Sequence, residues 1–356
     1  MPSVGRGFSP GILHLILLIA TAAAVSLPVA SQSQSPSRFV DDAGREVQLP
    51  PRVQRVFAAG GPAEVLLHTL APEMLVGRNR LPEGEARAFF PPGIDDAVLI
   101  RRLPELDDPS ADAELLALKP HVYVDYGTVD ADYVAVLDAV QKRTGVPGLI
   151  LDGALHRIPG TYRRLATALG VGERGEKLAA AAERLLTTYR ASLPPGRRVW
   201  LACSADGYLP CLEDERSGEV LRWIGGINVA GRRATAPNRP LTIAEIKALA
   251  PSAIVVNGGA AAIARVRNDP AWRTVDAVAA GRVHAWPELP YNWGARPPSV
   301  NRLPGLVWLA YVLTERPFDA QFARDIRRFF RDFYHVELTE AQVRTLAESS
   351  AAPMLR

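Results

Sequence analysis

Glu114-Leu-Leu-Ala-Leu-Lys-Pro120, running straight into His121-Val-Tyr-Val-Asp125, is the stretch on which the fold turns. Far downstream, Glu245-Ile-Lys-Ala-Leu-Ala-Pro251 runs into Ser252-Ala-Ile-Val-Val256. Both carry E-x-x-A-L-x-P. Each reads as a short helix that proline stops, because proline has no N–H and its ring clashes with the preceding turn. Each is followed by an apolar run of the kind found in strands buried on both faces. Two copies of one helix–Pro–strand unit predict two lobes built on the same α/β plan. The alternative is two unrelated units of a type common in α/β proteins.

Between the copies the pattern turns helical. Thr161 to Leu169 closes at Gly170. Glu173 to Leu193 then places Leu178, Ala181, Ala182, Leu185 and Tyr189 on one stripe. That run of about 20 residues, roughly 30 Å at 1.5 Å per residue, ends at Pro194-Pro195 and predicts a stiff connector rather than a hinge. Upstream, Phe39 to Leu49 holds an Asp/Gly turn, Asp41-Asp42-Ala43-Gly44-Arg45. Arg55 to Ala59 reads as a strand, Gly60-Gly61-Pro62 as a turn, Ala63 to Leu70 as a helix and Met74 to Gly77 as another strand. Downstream, Arg198 to Ala202 is a strand and Ser217 to Ile224 a helix. Gly225-Gly226-Ile227-Asn228-Val229 follows. Val255-Val256-Asn257-Gly258-Gly259 repeats the strand-then-glycine turn. Arg282 to Trp286 is a last strand, Tyr291 to Ser299 a loop, and Asn301 to Thr314 and Phe318 to Phe333 are helical.

Composition sets the bounds. The 356 residues are 48% hydrophobic and 22% charged, enough for two domains with cores and too apolar for wholesale disorder. Lys+Arg 41 against Asp+Glu 38 leaves +3, spread without a dense basic run, which argues against a nucleic-acid partner. Arg6, the apolar run Gly11 to Leu27 and the small residues Val29-Ala30-Ser31 make residues 1–31 an expected cleaved signal peptide. A retained membrane anchor is the alternative. No cysteine near the cut could carry a lipid. The expected location of the mature chain is therefore the periplasm, in soluble form. There the two cysteines, Cys203 and Cys211, are expected to bridge across a loop. A metal or redox pair is the alternative, but it lacks a neighbouring His or C-x-x-C spacing.

Catalysis finds little support. The six histidines are scattered, with no H-E-x-x-H pattern, and neither a G-x-S-x-G element nor a Walker loop is present. The expectation is no enzyme, no resident cofactor and no bare metal site. Polar groups at the predicted strand ends are the remaining candidates for contact with a ligand. The glycine turns Gly60-Gly61 and Gly258-Gly259, the second preceded by the candidate Asn257, lie where backbone N–H groups could face a ligand; the alternative is simple tight turns. Arg78, Arg80, Arg296 and Arg302 suit anion capture, or are ordinary ion-pair partners. Tyr126, Tyr208, Tyr291 and Trp293 offer flat contact or a phenolate for iron, or are lobe packing.

In order and kind, these elements resemble the substrate-binding proteins of iron-siderophore, haem, cobalamin and related ABC importers. The resemblance covers nearly all of the chain after the signal. It implies an α/β fold of two lobes with mainly parallel sheets, joined by one long rigid helix, with the ligand cleft between them. It divides the chain into an N-terminal lobe at 38–168, a connecting helix at 169–195, a C-terminal lobe at 196–296 and completing helices at 297–356. The segment from Arg296 through Ser299 to Arg302 resembles iron-chelate binders; some similar proteins bind molybdate or tungstate. The implied ligand is a ferric-siderophore-like chelate. The runners-up are an oxyanion and then haem or cobalamin. The implied partner is the transmembrane permease, and the binder is expected to be monomeric. Glu114 and Glu245 are the candidate permease-docking acids. The resemblance would place those acids one position earlier, at Ala113 and Ala244, so Asp112 also competes.

Overall fold

The computed structural model describes residues 37–92, 94, 98–100, 111–233, 239–294 and 296–348. The expected signal segment, 1–31, lies outside them. At the start, β1 (Ser37–Val40) and β2 (Glu46–Leu49) pair antiparallel. Asp41 closes their turn: its Oδ1 accepts from the backbone N–H of Ala43 at 3.1 Å and of Arg45 at 3.0 Å. Gly44 takes the φ of 77° that the turn requires.

Two parallel sheets follow. β3 (Val56–Ala58), β4 (Val122–Gly127) and β5 (Gly148–Asp152) form the first, in the order β3-β4-β5. β6 (Arg198–Leu201), β7 (Ile227–Asn228), β8 (Ala253–Val256) and β9 (Val283–Ala285) form the second, in the order β7-β6-β8-β9. Alternation along the strands feeds a core on each side. Val56, Val122, Val124 and Leu149 face one way; Phe57, Tyr123 and Ile150 face the other, onto Leu115, Leu137 and Val140. In the second sheet, Val199, Leu201 and Val255 face the same central core as Val124, while Trp200, Ile254 and Val256 meet Ile263, Val266 and Trp272. Both faces of each sheet are thus dry, which explains the near-continuous apolar runs.

The helices cover these faces. α1 (Gly61–Leu70) opens on the first sheet, then α2 (Asp112–Ala117) and α3 (Ala131–Thr144). α4 (Ile158–Leu169) and α5 (Gly172–Thr188) form a hairpin after Gly170, which adopts the left-handed φ of 73°. Gly175 lets them touch: a Cβ there would lie 2.1 Å from Ala166 Cβ and 2.9 Å from Tyr162 O. α6 (Glu219–Trp223), α7 (Ile243–Ala248), α8 (Gly259–Asn268) and α9 (Asp276–Ala279) belong to the second sheet. α10 (Arg302–Leu313) is buried along its whole length; α11 (Ala320–Phe329) and α12 (Glu340–Glu348) follow it.

The sequence repeat is a structural repeat. α2 leads into β4 and α7 into β8. In each copy the residue before the proline, Lys119 (φ 46°) or Ala250 (φ 43°), turns left-handed to end the helix. The freed carbonyls are capped alike. Arg55, just before β3, donates to Leu118 O and Lys119 O; Arg198, at the start of β6, donates to Leu249 O and Ala250 O. This matching use of orphan carbonyls in both halves could not be read from E-x-x-A-L-x-P alone.

Some expected elements differ. The connecting helix stops at Thr188, not near Leu193. Beyond it, Ala191 N donates to Trp223 O at 3.0 Å and Leu193 N to Ile224 O at 2.9 Å, so the end of α6 captures the chain. Nor does the connector act alone: it packs against α4, and α10 lies in the same central core. Met74 to Gly77 is no strand beyond a single bridge from Leu75 to Val56. Among the described residues, no helix is long and apolar enough to cross a membrane.

Candidate functional site

The carboxyl ends of β6, β8 and β9 open onto a cavity of about 740 Å³. Loops that leave parallel strands at this end are where α/β sheets form ligand crevices. β6 delivers Cys203 and Ser204, β8 delivers Asn257 and Gly258, and the chain after β9 delivers Glu288, Tyr291, Asn292 and Arg296. The opposite wall comes from the first half of the chain: Arg80, Leu81, Pro82, Glu83 and Ala86.

Hydrogen bonds tie the second-half wall into one unit. Gly258 N donates to Glu288 Oε1 at 2.9 Å. Asn292 Nδ2 donates to the same oxygen at 3.2 Å and to Asn257 Oδ1 at 3.1 Å. Asn257 Nδ2 and Arg296 Nη2 both donate to Cys203 O, at 3.2 and 2.8 Å. Cys203 is itself bonded to Cys211, with their Cα atoms 5.0 Å apart. The bridge fixes the carbonyl on which Arg296 and Asn257 are set. Tyr291 stands edge-on to Phe90 with ring centroids 5.9 Å apart. Burial and the nearby Glu64 charge hold its hydroxyl well above the usual tyrosine range.

The structure brings Arg80, Asn257, Gly258, Tyr291 and Arg296 to one cavity and takes the other candidates elsewhere. Arg78 is buried and paired with Glu64 at 2.9 Å and His68 Nδ1 at 2.9 Å, so it supports the wall from behind. Gly258 spends its N–H on Glu288, leaving none for a ligand. Gly60 accepts from Glu64 N, and Gly61 packs on Pro297; neither lines the cavity. Tyr126 and Trp293 are fully buried, and the Trp293 indole donates to Leu289 O. Tyr208 lies against Trp272 and donates to Asp269 at 3.2 Å. Ser299 and Arg302 are also fully buried; Ser299 Oγ donates to Pro62 O.

Arg302 belongs to an ionic clasp between the halves. It donates to Ser299 O at 3.0 Å, to Glu219 and to Gly153 O. Glu219 also accepts from Leu155 N at 3.0 Å and from Arg216 at 2.7 Å. Arg216 continues to Asp152 at 2.6 Å and to Gly127 O at 3.2 Å. Gly127, Asp152 and Gly153 sit at the ends of β4 and β5; Arg216 and Glu219 lie in and before α6. The clasp thus joins the two sheets beside the cavity.

Both candidate docking acids stand in the first turn of their helices. Glu114 is exposed in the first turn of α2. Glu245 is engaged: it forms a capping box with Thr242 and an ion pair with Arg239 at 2.6 Å. The hydrogen bond from Arg239 and those from Thr242 hold its carboxyl at about 2. Asp112 pairs with Arg143 at 2.9 Å. Glu288 and Asn292 were not expected at the cavity. Spacing gives no signal for them, since Glu288 is placed by the N–H of distant Gly258.

At the end of β4, burial raises the Asp125 carboxyl to about 6. Its folded value lies above the unfolded one near 4. Its contribution is therefore fully present below about pH 4 and lost as pH rises through 6. Asp125→Asn should match the parent below pH 4 and exceed its stability above pH 6 by about 2–3 kcal/mol. Urea midpoints across that range test this, and a gap that stays constant with pH would contradict it.

A sequence profile for the family described as Periplasmic binding protein matches residues 157–289. Among curated proteins there is no significant match. Solved structures are similar over most of the chain. One is an ABC transporter solute-binding protein from Sulfurospirillum deleyianum, 21% identical, with a TM-score of 0.76 and 88% of this chain and 99% of that one covered. Another is the molybdate-bound periplasmic binding protein MolA of Haemophilus influenzae, at 19%, 0.64, 85% and 99%. A third is the TroA-like periplasmic binding protein FepB of Veillonella parvula, at 17%, 0.66, 85% and 98%. With its paired parallel sheets and the cavity at their strand ends, the chain has the fold of these two-lobed solute-binding proteins and carries, at 157–289, a region matching the Periplasmic binding protein family.

Proposed function

We propose that this chain is the periplasmic solute-binding component of an ABC importer, and that its ligand is a ferric-siderophore-like chelate. The observation that carries the reading is the cavity of about 740 Å³ walled by Arg80, Leu81 and Glu83 from one half and by Ser204, Asn257, Glu288, Tyr291 and Arg296 from the other. Its size falls in the usual range for organic ligands, about 300–1,000 Å³, and exceeds what a bare tetrahedral oxyanion needs. Arg80 and Arg296 suit an anionic cargo, and Tyr291 and Leu81 supply apolar contact. The mixed polar lining fits a chelate better than the flat apolar face that haem requires.

Capture would close the two walls on the cargo with little movement, because the clasp and the shared core resist large rotations. The lobe boundaries at 38–168 and 196–296 and the connector at 169–195 belong to this reading. So does docking on a permease through exposed acids such as Glu114. The cargo leaves chemically unchanged, since the work done is binding. Calorimetric titration with ferric tris-catecholate, tris-hydroxamate and citrate chelates and with molybdate tests it. At least one chelate should bind at micromolar levels or tighter, and more tightly than molybdate. Failure of every chelate would overturn the ligand class.

A further inference from the structure

The lining of the main cavity is not uniformly basic. Among the described residues it carries Arg80 and Arg296, but also Glu83 and Glu288, two charges of each sign. The two acids are held differently. Glu83 lies on the wall from the first half of the chain, exposed, just before the helical turn Gly84–Phe89. Glu288 is exposed too, but fixed. Its Oε1 accepts from Gly258 N at 2.9 Å and from Asn292 Nδ2 at 3.2 Å. Gly258 and Gly259 both turn left-handed, at φ of 105° and 61°, a conformation open to glycine, and the N–H of the first meets the carboxylate at the start of α8. The Glu288 stem lies over the same turn: a Cβ on Gly259 would sit 4.0 Å from Glu288 Cγ. Asn292 is braced in turn by Asn257, and Asn257 by Cys203 O. Both bonds that hold Glu288 fall on one oxygen. Oε2 has no protein partner among the described residues. A carboxylate offers about four acceptor sites, so acceptor capacity remains on a fixed residue of the cavity wall.

Resting on the proposed function, we infer that Glu288 receives a cationic group of the cargo, and that the preferred chelate carries a protonated amine beside its iron-bound oxygens. The argument is electrostatic. Arg80 and Arg296 suit the electron-rich oxygens around the metal. A cargo with only such oxygens would leave Glu288 opposite a like charge or without a donor, and a carboxylate stripped of water in that way is unfavourable. An ammonium supplies N–H donors and the opposite charge in one compact group. Glu288 is already oriented, so holding it on binding costs little side-chain entropy. The charge-assisted bond it forms belongs to the stronger class of polar contacts.

Two probes isolate the group: the ferric complex of a linear tris-hydroxamate that ends in a primary amine, and the same complex N-acetylated. Their iron centres are identical and only the ammonium differs. Calorimetric titration at neutral pH compares the parent, Glu288→Gln and Glu83→Gln proteins. The parent should bind the amine form about tenfold or more tighter than the acetylated form, and the ratio should shrink as salt rises. Glu288→Gln should bring the ratio below about threefold and leave affinity for the acetylated form within about twofold of the parent. Its amide oxygen can still accept from Gly258 and Asn292, so the wall stays in place. Glu83→Gln should keep the parent ratio. Equal affinity for the two forms in the parent, a ratio that survives Glu288→Gln, or one that Glu83→Gln also abolishes, would overturn the assignment and leave the chelate reading intact. Binding of neither form, with a catecholate or citrate chelate bound instead, would overturn it too. Binding of no chelate at all would overturn both.

Discussion

Replacing Glu219 by alanine should lower the unfolding free energy by about 3–5 kcal/mol, the usual loss when one partner of a buried ion pair is removed. Arg302 is fully buried and Glu219 is 8% exposed. Without the carboxylate, Arg302 keeps only the carbonyls of Ser299 and Gly153, and a buried guanidinium loses its counter-charge. Leu155 N and one Arg216 bond lose their acceptor at the same time. Glu219→Gln should cost less, because the amide oxygen can still accept while the charge is gone. Thermal denaturation of the three proteins reads the difference as a fall in melting temperature of roughly 10 °C for the alanine variant. A loss under about 1 kcal/mol would contradict the role of Glu219 as the counter-charge that buried Arg302 needs. Replacement of the whole cluster by apolar residues is a separate matter, since buried ion pairs often compare poorly with packed side chains.

The second large effect concerns the ligand. The double substitution Arg80→Ala, Arg296→Ala should weaken capture of an anionic chelate by roughly a hundredfold or more. Each charge-assisted hydrogen bond is worth about 1.5–3 kcal/mol, and about 1.4 kcal/mol is tenfold in affinity. The two arginines reach the cavity from opposite walls, so the single variants should each lose at least tenfold. Arg296 is already oriented by Cys203 O, and ordering it on binding costs little. Parent affinity should fall as salt rises, and the double variant should show a flatter dependence. Arg78→Ala makes the contrast. It strips Glu64 of its buried partner and should appear first as lost stability. Unchanged affinity in the double variant would remove both arginines from the site.

The E-x-x-A-L-x-P repeat, the apolar strand runs and the stripe from Leu178 to Tyr189 were legible because each reports a local rule. Proline stops a helix, a doubly covered strand is apolar throughout, and a packed helix is apolar on one side. These rules act between residues close in the chain, so order along the chain suffices to read them. The end of α5 was not legible, since the carbonyls of Trp223 and Ile224 draw residues 191–193 out of the helix.

Among the arginines the sequence determined only that fork-shaped cations were available. Tertiary structure decided that Arg78 and Arg302 sink into ion pairs with Glu64 and Glu219, while Arg80 and Arg296 face the cavity. Likewise Glu288 acquires its place only when β8 and the segment after β9 lie side by side. The reason is physical: a charge is tolerated inside only beside a partner, and which partner is near depends on how the two sheets meet, not on spacing along the chain.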